Sequence, residues 1–313
     1  MTQPENLVFC GTPQFAVPTL EKLAEAGFNV RLVLTQPDRP KGRGLGLVAS
    51  PVKQTALRLG LPVYQPEKIK QNEELRSKLD EIAPAAIIVV GYGRIIPSWM
   101  LQLPKHGNIN LHASLLPKYR GAAPIQWAIA NGDNVTGVTT MRIDEGLDTG
   151  DILQQKELAI LDEDTGETLS PRLAAIGAEL MIDSLRGLAE GTVSPRPQKD
   201  EEATLAPILT KEDGRIDFSR SAREIFNRLR GFQPWPGAFT TFRGKTLNIT
   251  AAKPSEEEVT QAQLLVKDNR LFVGSGNATA LELLEVQPEG KKRISARDFV
   301  HGYRPETGER LGE

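Results

Sequence analysis

Only one cysteine and three histidines occur in the 313 residues, and that scarcity removes whole classes of chemistry. Cys10 alone can form no intramolecular disulfide and no thiolate zinc site. It follows the apolar Leu7-Val8-Phe9 and is expected to be a buried structural thiol. No apolar run approaches the ~20 residues that cross a bilayer. Met1 to Asn6 carry neither the basic region nor the apolar core of a secretion signal, so the cytoplasm is the expected location. Net charge is also nearly absent, at -2. The chain as a whole is no electrostatic magnet for a polyanion, and a nucleic acid would have to be gripped by a local patch.

Two motifs are missing as well. After the first expected strand stands Gly11-Thr12-Pro13-Gln14-Phe15, not the Gly-x-Gly-x-x-Gly of a dinucleotide site. No serine or cysteine sits in a nucleophile elbow, so nothing suggests an acyl-enzyme. His, Cys and carboxylate residues do not fall at matched ligand spacings, so no metal is expected.

The residues that are present describe an ordinary globular chain long enough for two domains. Leu7 to Cys10 reads as a buried strand, Phe15 to Ala26 as an amphipathic helix and Val30 to Thr35 as a second strand. That order implies a parallel βαβ unit. Ser50 caps a further helix with Pro51 at its first position. Ala85 to Val90 is a continuous apolar run of strand length. It ends in Gly91-Tyr92-Gly93-Arg94-Ile95-Ile96, and ligands of parallel sheets sit beyond such strand ends.

Helix is expected at Gly121 to Ala130 and Thr168 to Ala189, and strand at Thr136 to Ile143 and Ile152 to Leu158. Gly191 to Pro207, with three prolines and little periodicity, reads as a linker. Beyond it come a helix, Ser221 to Arg230, and short strands broken by turns, the pattern of a small β-barrel. The expected fold is α/β: a Rossmann-like, mostly parallel sheet with flanking helices in residues 1–190, then an OB-like barrel in 208–313. From Ile208 onward there are 17 Lys and Arg against 15 Asp and Glu, while the remainder has 21 against 25. The second domain is therefore slightly basic.

Two stretches carry chemistry. Between Gln36 and Gly46 lies a loop rich in Gly and Pro with Arg39, Lys41 and Arg43 against one acid, suited to touching phosphates. Asn108 to His112 alternates Asn108, Asn110 and His112 with Ile109 and Leu111, so a strand there presents two amides and an imidazole on one face. An acidic turn, Asp144 to Asp151, follows one helix and strand later. An Asn amide is a fixed neutral donor for an oxyanion. An imidazole beside a carboxylate can donate to the same oxygen or move a proton. The set suits direct transfer of an acyl group to an amine through a tetrahedral intermediate.

Asn110-Leu-His112, Ser114-Leu-Leu-Pro117-x-Tyr119-Arg120-Gly121-Ala-Ala-Pro124-Ile-Gln126 and Asp144-x-Gly-Leu-Asp148-Thr-Gly150-Asp151 resemble the 10-formyltetrahydrofolate-dependent formyltransferases. Phe9-x-Gly11-Thr12-Pro13, Thr35-Gln-Pro-Asp-Arg39-Pro-x-Gly-Arg43-Gly44, Ser50-Pro-Val-Lys53 and Phe232-x-Pro234-Trp235-Pro236 resemble the branch that acts on initiator methionyl-tRNA. The resemblance covers nearly the whole chain. It implies a catalytic trio of Asn110, His112 and Asp148, with 10-formyltetrahydrofolate as co-substrate and no metal. It places folate against Ser114, Leu115, Leu116 and Pro117, with the pterin enclosed near Tyr92, Ile95 and Asp144. It places tRNA against Arg39, Lys41 and Arg43 and the C-terminal barrel. A monomer is the default expectation, and no membrane partner is expected.

Rivals on the residues alone are a small-amine formyltransferase, a nicotinamide oxidoreductase and a non-catalytic RNA-binding protein. The basic loop argues against the first, the missing glycine motif against the second, and the cost of burying idle polar groups against the third.

Overall fold

The computed structural model describes residues 5–41 and 46–313, with only the backbone of Lys41. The segments that pack together form two compact units. The first comprises Met1–Gly121, Thr136–Ala159 and Ser170–Leu205, and the second Ala122–Val135, Ile160–Leu169 and Ala206–Glu313.

In chain order the elements up to the end of the long helix are β1 (Asn6–Gly11), α1 (Val17–Glu25), β2 (Asn29–Leu34), β3 (Arg39–Lys41), β4 (Gly46–Val48), α2 (Pro51–Arg58), β5 (Val63–Tyr64), α3 (Glu73–Ile82), β6 (Ala86–Val90), α4 (Ser98–Leu101), β7 (Asn108–His112), β8 (Arg120–Gly121), α5 (Pro124–Ala130), β9 (Val135–Arg142), β10 (Ile152–Ala159) and α6 (Gly166–Glu190). The first unit is built on a seven-stranded sheet in the order β10-β9-β7-β6-β1-β2-β5. From β5 to β7 neighbouring strands are parallel, and β9 lies antiparallel on β7. The parallel strands need cover on both faces, and β6 is buried at every position. One face closes over Val8, Cys10, Leu34, Ile87, Val89 and Leu79 of α3. Burial pushes the Cys10 thiol up, as befits an inert core group.

Local chemistry sets the helix ends. Ser50 accepts from Lys53 N at 3.0 Å and Asn72 from Leu75 N at 2.8 Å, capping α2 and α3. Pro124 begins α5 at the position where its missing N–H costs nothing, so the expected helix from Gly121 starts three residues later. The Gln36 to Gly46 segment, expected as a loop, supplies β3 of an antiparallel ribbon that pairs Arg39 with Val48 and Pro40 with Leu47 of β4. Its Gly and Pro content hides the strand signal. A two-strand ribbon tolerates Pro40 because one side of each strand is free of ladder bonds.

The remaining elements are β11 (Leu205–Ala206), α7 (Ala222–Gly231), β12 (Phe239–Phe242), β13 (Lys245–Ser255), β14 (Leu264–Lys267), β15 (Arg270–Ser275), β16 (Thr279–Pro288), β17 (Ile294–Ser295) and α8 (Ala296–Tyr303). The antiparallel sheet of the second unit runs β12-β13-β16-β15-β14, with β17 on β16. Its two end strands are joined by the chain's last residues. Leu264 N donates to Glu309 O at 2.7 Å, Leu311 N to Ala262 O at 2.9 Å, and Gly312 N to Thr241 O at 3.0 Å. The expected barrel is thus closed by a C-terminal strap rather than by two named strands. Helix α8 has no counterpart in the sequence reading, although Ser295 caps it by accepting from Asp298 N at 3.0 Å. It buries Phe299 completely, which stabilises by about 2–3 kcal/mol.

Within this unit Glu282 is 6% exposed. It accepts from Arg270 Nε at 2.8 Å and Nη2 at 2.6 Å, with Lys253 at 3.3 Å. Arg270 foremost, with Lys253 behind it, holds the carboxyl below its ordinary value, against the opposing effect of burial. A group lowered on folding contributes stability that is present above its unfolded value and lost as pH falls through its folded one. The unfolding midpoint is therefore expected to fall on acidification below about 4.5, and Glu282→Gln to flatten that fall. Superimposable pH profiles of the two proteins in thermal melts would contradict this.

No helix among the described residues is long and apolar enough to cross a membrane.

Candidate active site

Strand β7 ends the parallel part of the sheet, and its carboxyl end is polar. Asn110 is half-buried opposite Met141, and His112 lies opposite Thr139 at 6% exposure. Among the described residues the Asn110 amide makes no hydrogen bond, which leaves a donor available in a half-open position. His112 Nε2 lies 2.8 Å from the Tyr119 carbonyl oxygen. A carbonyl can only accept, so Nε2 carries a proton. Nδ1 faces Asp148 Oδ2 at 3.7 Å, longer than a direct hydrogen bond. The same Oδ2 accepts from Gly121 N at 2.9 Å. The three side chains expected to act together are thus brought to one place.

Asn108 stands apart from them. Its amide donates to the carbonyls of Met100 at 2.9 Å and Leu101 at 3.3 Å, so it braces the start of the strand.

The turn after β7 is held from beneath. Thr139 Oγ1 donates to Ser114 O at 2.6 Å and accepts from Leu116 N at 3.1 Å. Gln155 Nε2 donates to Leu116 O at 2.8 Å. Ser114 is fully buried, with its hydroxyl on Lys118 O at 2.6 Å, and Leu116 packs with Met141 and Ile152. Of the four residues expected to touch folate here, Leu115 and Pro117 are the half-open pair, and Ser114 and Leu116 shape the backbone. Neither Thr139 nor Gln155 is marked for the site by the sequence, because both sit in strands whose pattern reads as ordinary sheet.

The strand end after β6 departs from expectation at one residue. Tyr92 is 1% exposed, with its ring in the core beside Cys10, so its side chain does not line the site. It is the largest apolar body near that end of the strand, and burial drew it inward. Its backbone remains at the edge, where Gln36 Nε2 donates to Tyr92 O at 3.0 Å and Gly93 O at 3.2 Å. Ile95 is 91% exposed. Asp144 spends its carboxylate on its own loop, accepting from Gly146 N at 3.0 Å and Thr149 Oγ1 at 2.8 Å.

The basic ribbon is anchored at its base. Lys53 Nζ and Gln65 Nε2 reach the two oxygens of Asp38 at 2.5 and 2.8 Å. Lys53 foremost holds the Asp38 carboxyl below its ordinary value. Arg39 is exposed, with Nη2 3.3 Å from Gln36 Oε1. Arg43 lies outside the described residues, as does the side chain of Lys41.

The stretch expected as a linker supplies part of the site. Gln198 Nε2 donates to the carbonyls of Asp148 at 2.8 Å and Gly150 at 2.7 Å. A glutamine among prolines has no periodicity to announce it. Thr204 Oγ1 likewise accepts from Tyr119 N at 2.8 Å.

An amide and an imidazole on β7, with the carboxylate of a following loop brought beside the imidazole, suit group transfer through a tetrahedral intermediate. The model of the formyl transferase family matches residues 5–185, and that of the formyl transferase C-terminal domain matches residues 208–304. The chain belongs to the formyl transferase family. A methionyl-tRNA formyltransferase of Koribacter versatilis is 65% identical over 306 residues, covering 98% of each chain. One of Acidobacterium capsulatum is 61% identical over 311 residues, covering 98% of this chain and 99% of its own. In fold the chain is also similar to an N-formyltransferase of Helicobacter canadensis solved with folinic acid and dTDP-3-aminofucose. The TM-score is 0.67 at 18% identity, over 91% of this chain and all of that one.

Proposed function

We propose that the protein transfers the formyl group of 10-formyltetrahydrofolate to the α-amine of initiator methionyl-tRNA. The observation that carries the site is the convergence of Asn110, His112 and Asp148 at the carboxyl end of β7. The acceptor is supported by full-length methionyl-tRNA formyltransferase relatives and by Arg39, exposed on the β3–β4 ribbon.

A folate fits the site's chemistry. Gly91 and Gly93 take positive φ at the end of β6, where the Pro13 and Gln36 side chains approach them closely, and Ile95 offers exposed apolar surface beside them. The co-substrate supplies an activated formyl carbon on a nitrogen able to leave. In the transfer, the amine-to-carbon bond forms and the carbon-to-N10 bond breaks. One proton passes from the amine to N10, with no net gain or loss.

Asn110 donates to the oxygen that becomes an oxyanion. His112 reaches the same oxygen only by releasing the Tyr119 carbonyl, so Asn110 is the first donor. The His112–Asp148 pair takes up the proton that the amine loses and, through water, returns it to the leaving nitrogen. No group of the chain is acylated. Residues 1–190 act as the catalytic domain and 208–313 as an RNA-binding domain, in a cytoplasmic monomer.

Purified protein supplied with 10-formyltetrahydrofolate should formylate charged initiator methionyl-tRNA in preference to glycinamide ribonucleotide or an amino-sugar nucleotide. Turnover confined to the small amines would sink the acceptor assignment. Arg39→Ala should raise KM for tRNA several-fold at unchanged kcat. It should also reduce the slope of log KM against log salt by roughly one, as for one lost phosphate contact. An unaltered salt slope would take Arg39 out of the RNA contact.

A further inference from the structure

Asp148 is a non-glycine residue at φ +53. Left-handed backbone costs an L-residue roughly 1–2 kcal/mol and persists only where neighbours over-determine it. Two tethers do so here. Gly121 N holds the carboxylate from one side, and Gln198 holds the main chain from the other through the carbonyls of Asp148 and Gly150. Gln198 is itself keyed. Its Oε1 accepts from Arg120 Nε at 3.1 Å and Nη2 at 2.9 Å, and Arg120, 7% exposed, also bonds Asp200 Oδ1 at 2.8 Å. The amide thereby uses both donor hydrogens and both acceptor lone pairs, so its orientation cannot reverse without losing four bonds.

We infer that Gln198 is a positioning residue of the reaction: its amide donors fix the main chain at Asp148 and so set that carboxylate against His112. The inference rests on the reading of Asp148 as a participant in proton transfer. Arg120 acts one step further out, by deciding which end of the amide faces the loop. Its neighbour Gly121 supplies the second tether. Both tethers of Asp148 therefore converge from the segment after the folate turn and from the proline-rich stretch that the sequence presents as a spacer.

The test is a double-mutant cycle in the formylation assay. Gln198→Ala should lower kcat by about 10–100-fold, as misplacement of a reacting group does, with both KM values within about threefold. In an Asp148→Asn background the same change should cost less than about threefold, because its effect runs through Asp148. Gln198→Glu keeps the pairing with Arg120 but turns an acceptor toward two carbonyls, so its kcat should be as low as that of Gln198→Ala. Wild-type kcat in Gln198→Glu would overturn the inference, since pairing with Arg120 would then be the whole role. Equal losses from Gln198→Ala in both backgrounds would also overturn it. Asp148→Asn with near-wild-type kcat would instead bring down the reading of Asp148, and Gln198's positioning role with it.

Discussion

His112→Ala and Asp148→Asn should each lower kcat by roughly two or more orders of magnitude, the range that general acid–base and oxyanion groups supply. A hundredfold loss corresponds to about 2.7 kcal/mol of transition-state stabilisation. The Asp148 substitution is the sharper of the two. Asparagine can still accept from Gly121 N, now at 2.9 Å, and Gln198 can still bond the main chain. Shape is kept while the charge beside His112 Nδ1 is removed. His112→Ala removes the ring and its bond to the Tyr119 carbonyl, so part of its effect is local rearrangement. Single-turnover rates with saturating co-substrate and charged tRNA separate the chemical step from binding. Near-wild-type rates in Asp148→Asn would refute the carboxylate's part in proton transfer. The two losses should fall well short of adding in the double variant, because the pair acts as one unit.

Much of this site was legible because its members share short-range patterns. Asn110 and His112 stand two apart on a strand, and period-two alternation places them on one face without further information. The parallel sheet was legible for a similar reason: Ala86–Val90 is apolar at every position, which suits a strand covered on both sides. What stayed hidden depends on long-range partners. Gln198 contacts residues about fifty positions away, and Thr139 holds a turn more than twenty residues before it. The burial of the Tyr92 ring was hidden for a different reason. Its neighbours Gly91 and Gly93 mark a strand end correctly, but the ring's choice between cleft and core follows from packing that the sequence does not display. The strap that closes the barrel is equally invisible, since Glu309 to Gly312 has no strand-like composition and takes its order from β12 and β14.

Gly150→Ala should cost as much activity as loss of an acting group, although Gly150 itself touches no reacting atom. A methyl carbon there would lie 2.0 Å from the Arg142 carbonyl oxygen and 2.9 Å from its carbon, both main-chain atoms at the end of β9. Arg142 N also donates to Asp151 O at 2.9 Å, so the loop is pinched at its neck between these residues. The added carbon must push the neck apart by about an ångström or more to reach ordinary contact. Asp148 lies two residues away, and Gln198 holds both carbonyls of this stretch. Opening the neck therefore shifts the carboxylate from His112, and displacements of that size cost about a hundredfold in rate. Overpacking should also remove about 1–3 kcal/mol of stability. Gly302→Ala in α8 is the control, since a methyl there meets nothing within 4 Å and helix propensity favours alanine. Thermal melts and kcat measured on both variants decide the matter. A Gly150→Ala protein that melts lower yet turns over normally would show that the neck of the loop does not set the position of Asp148.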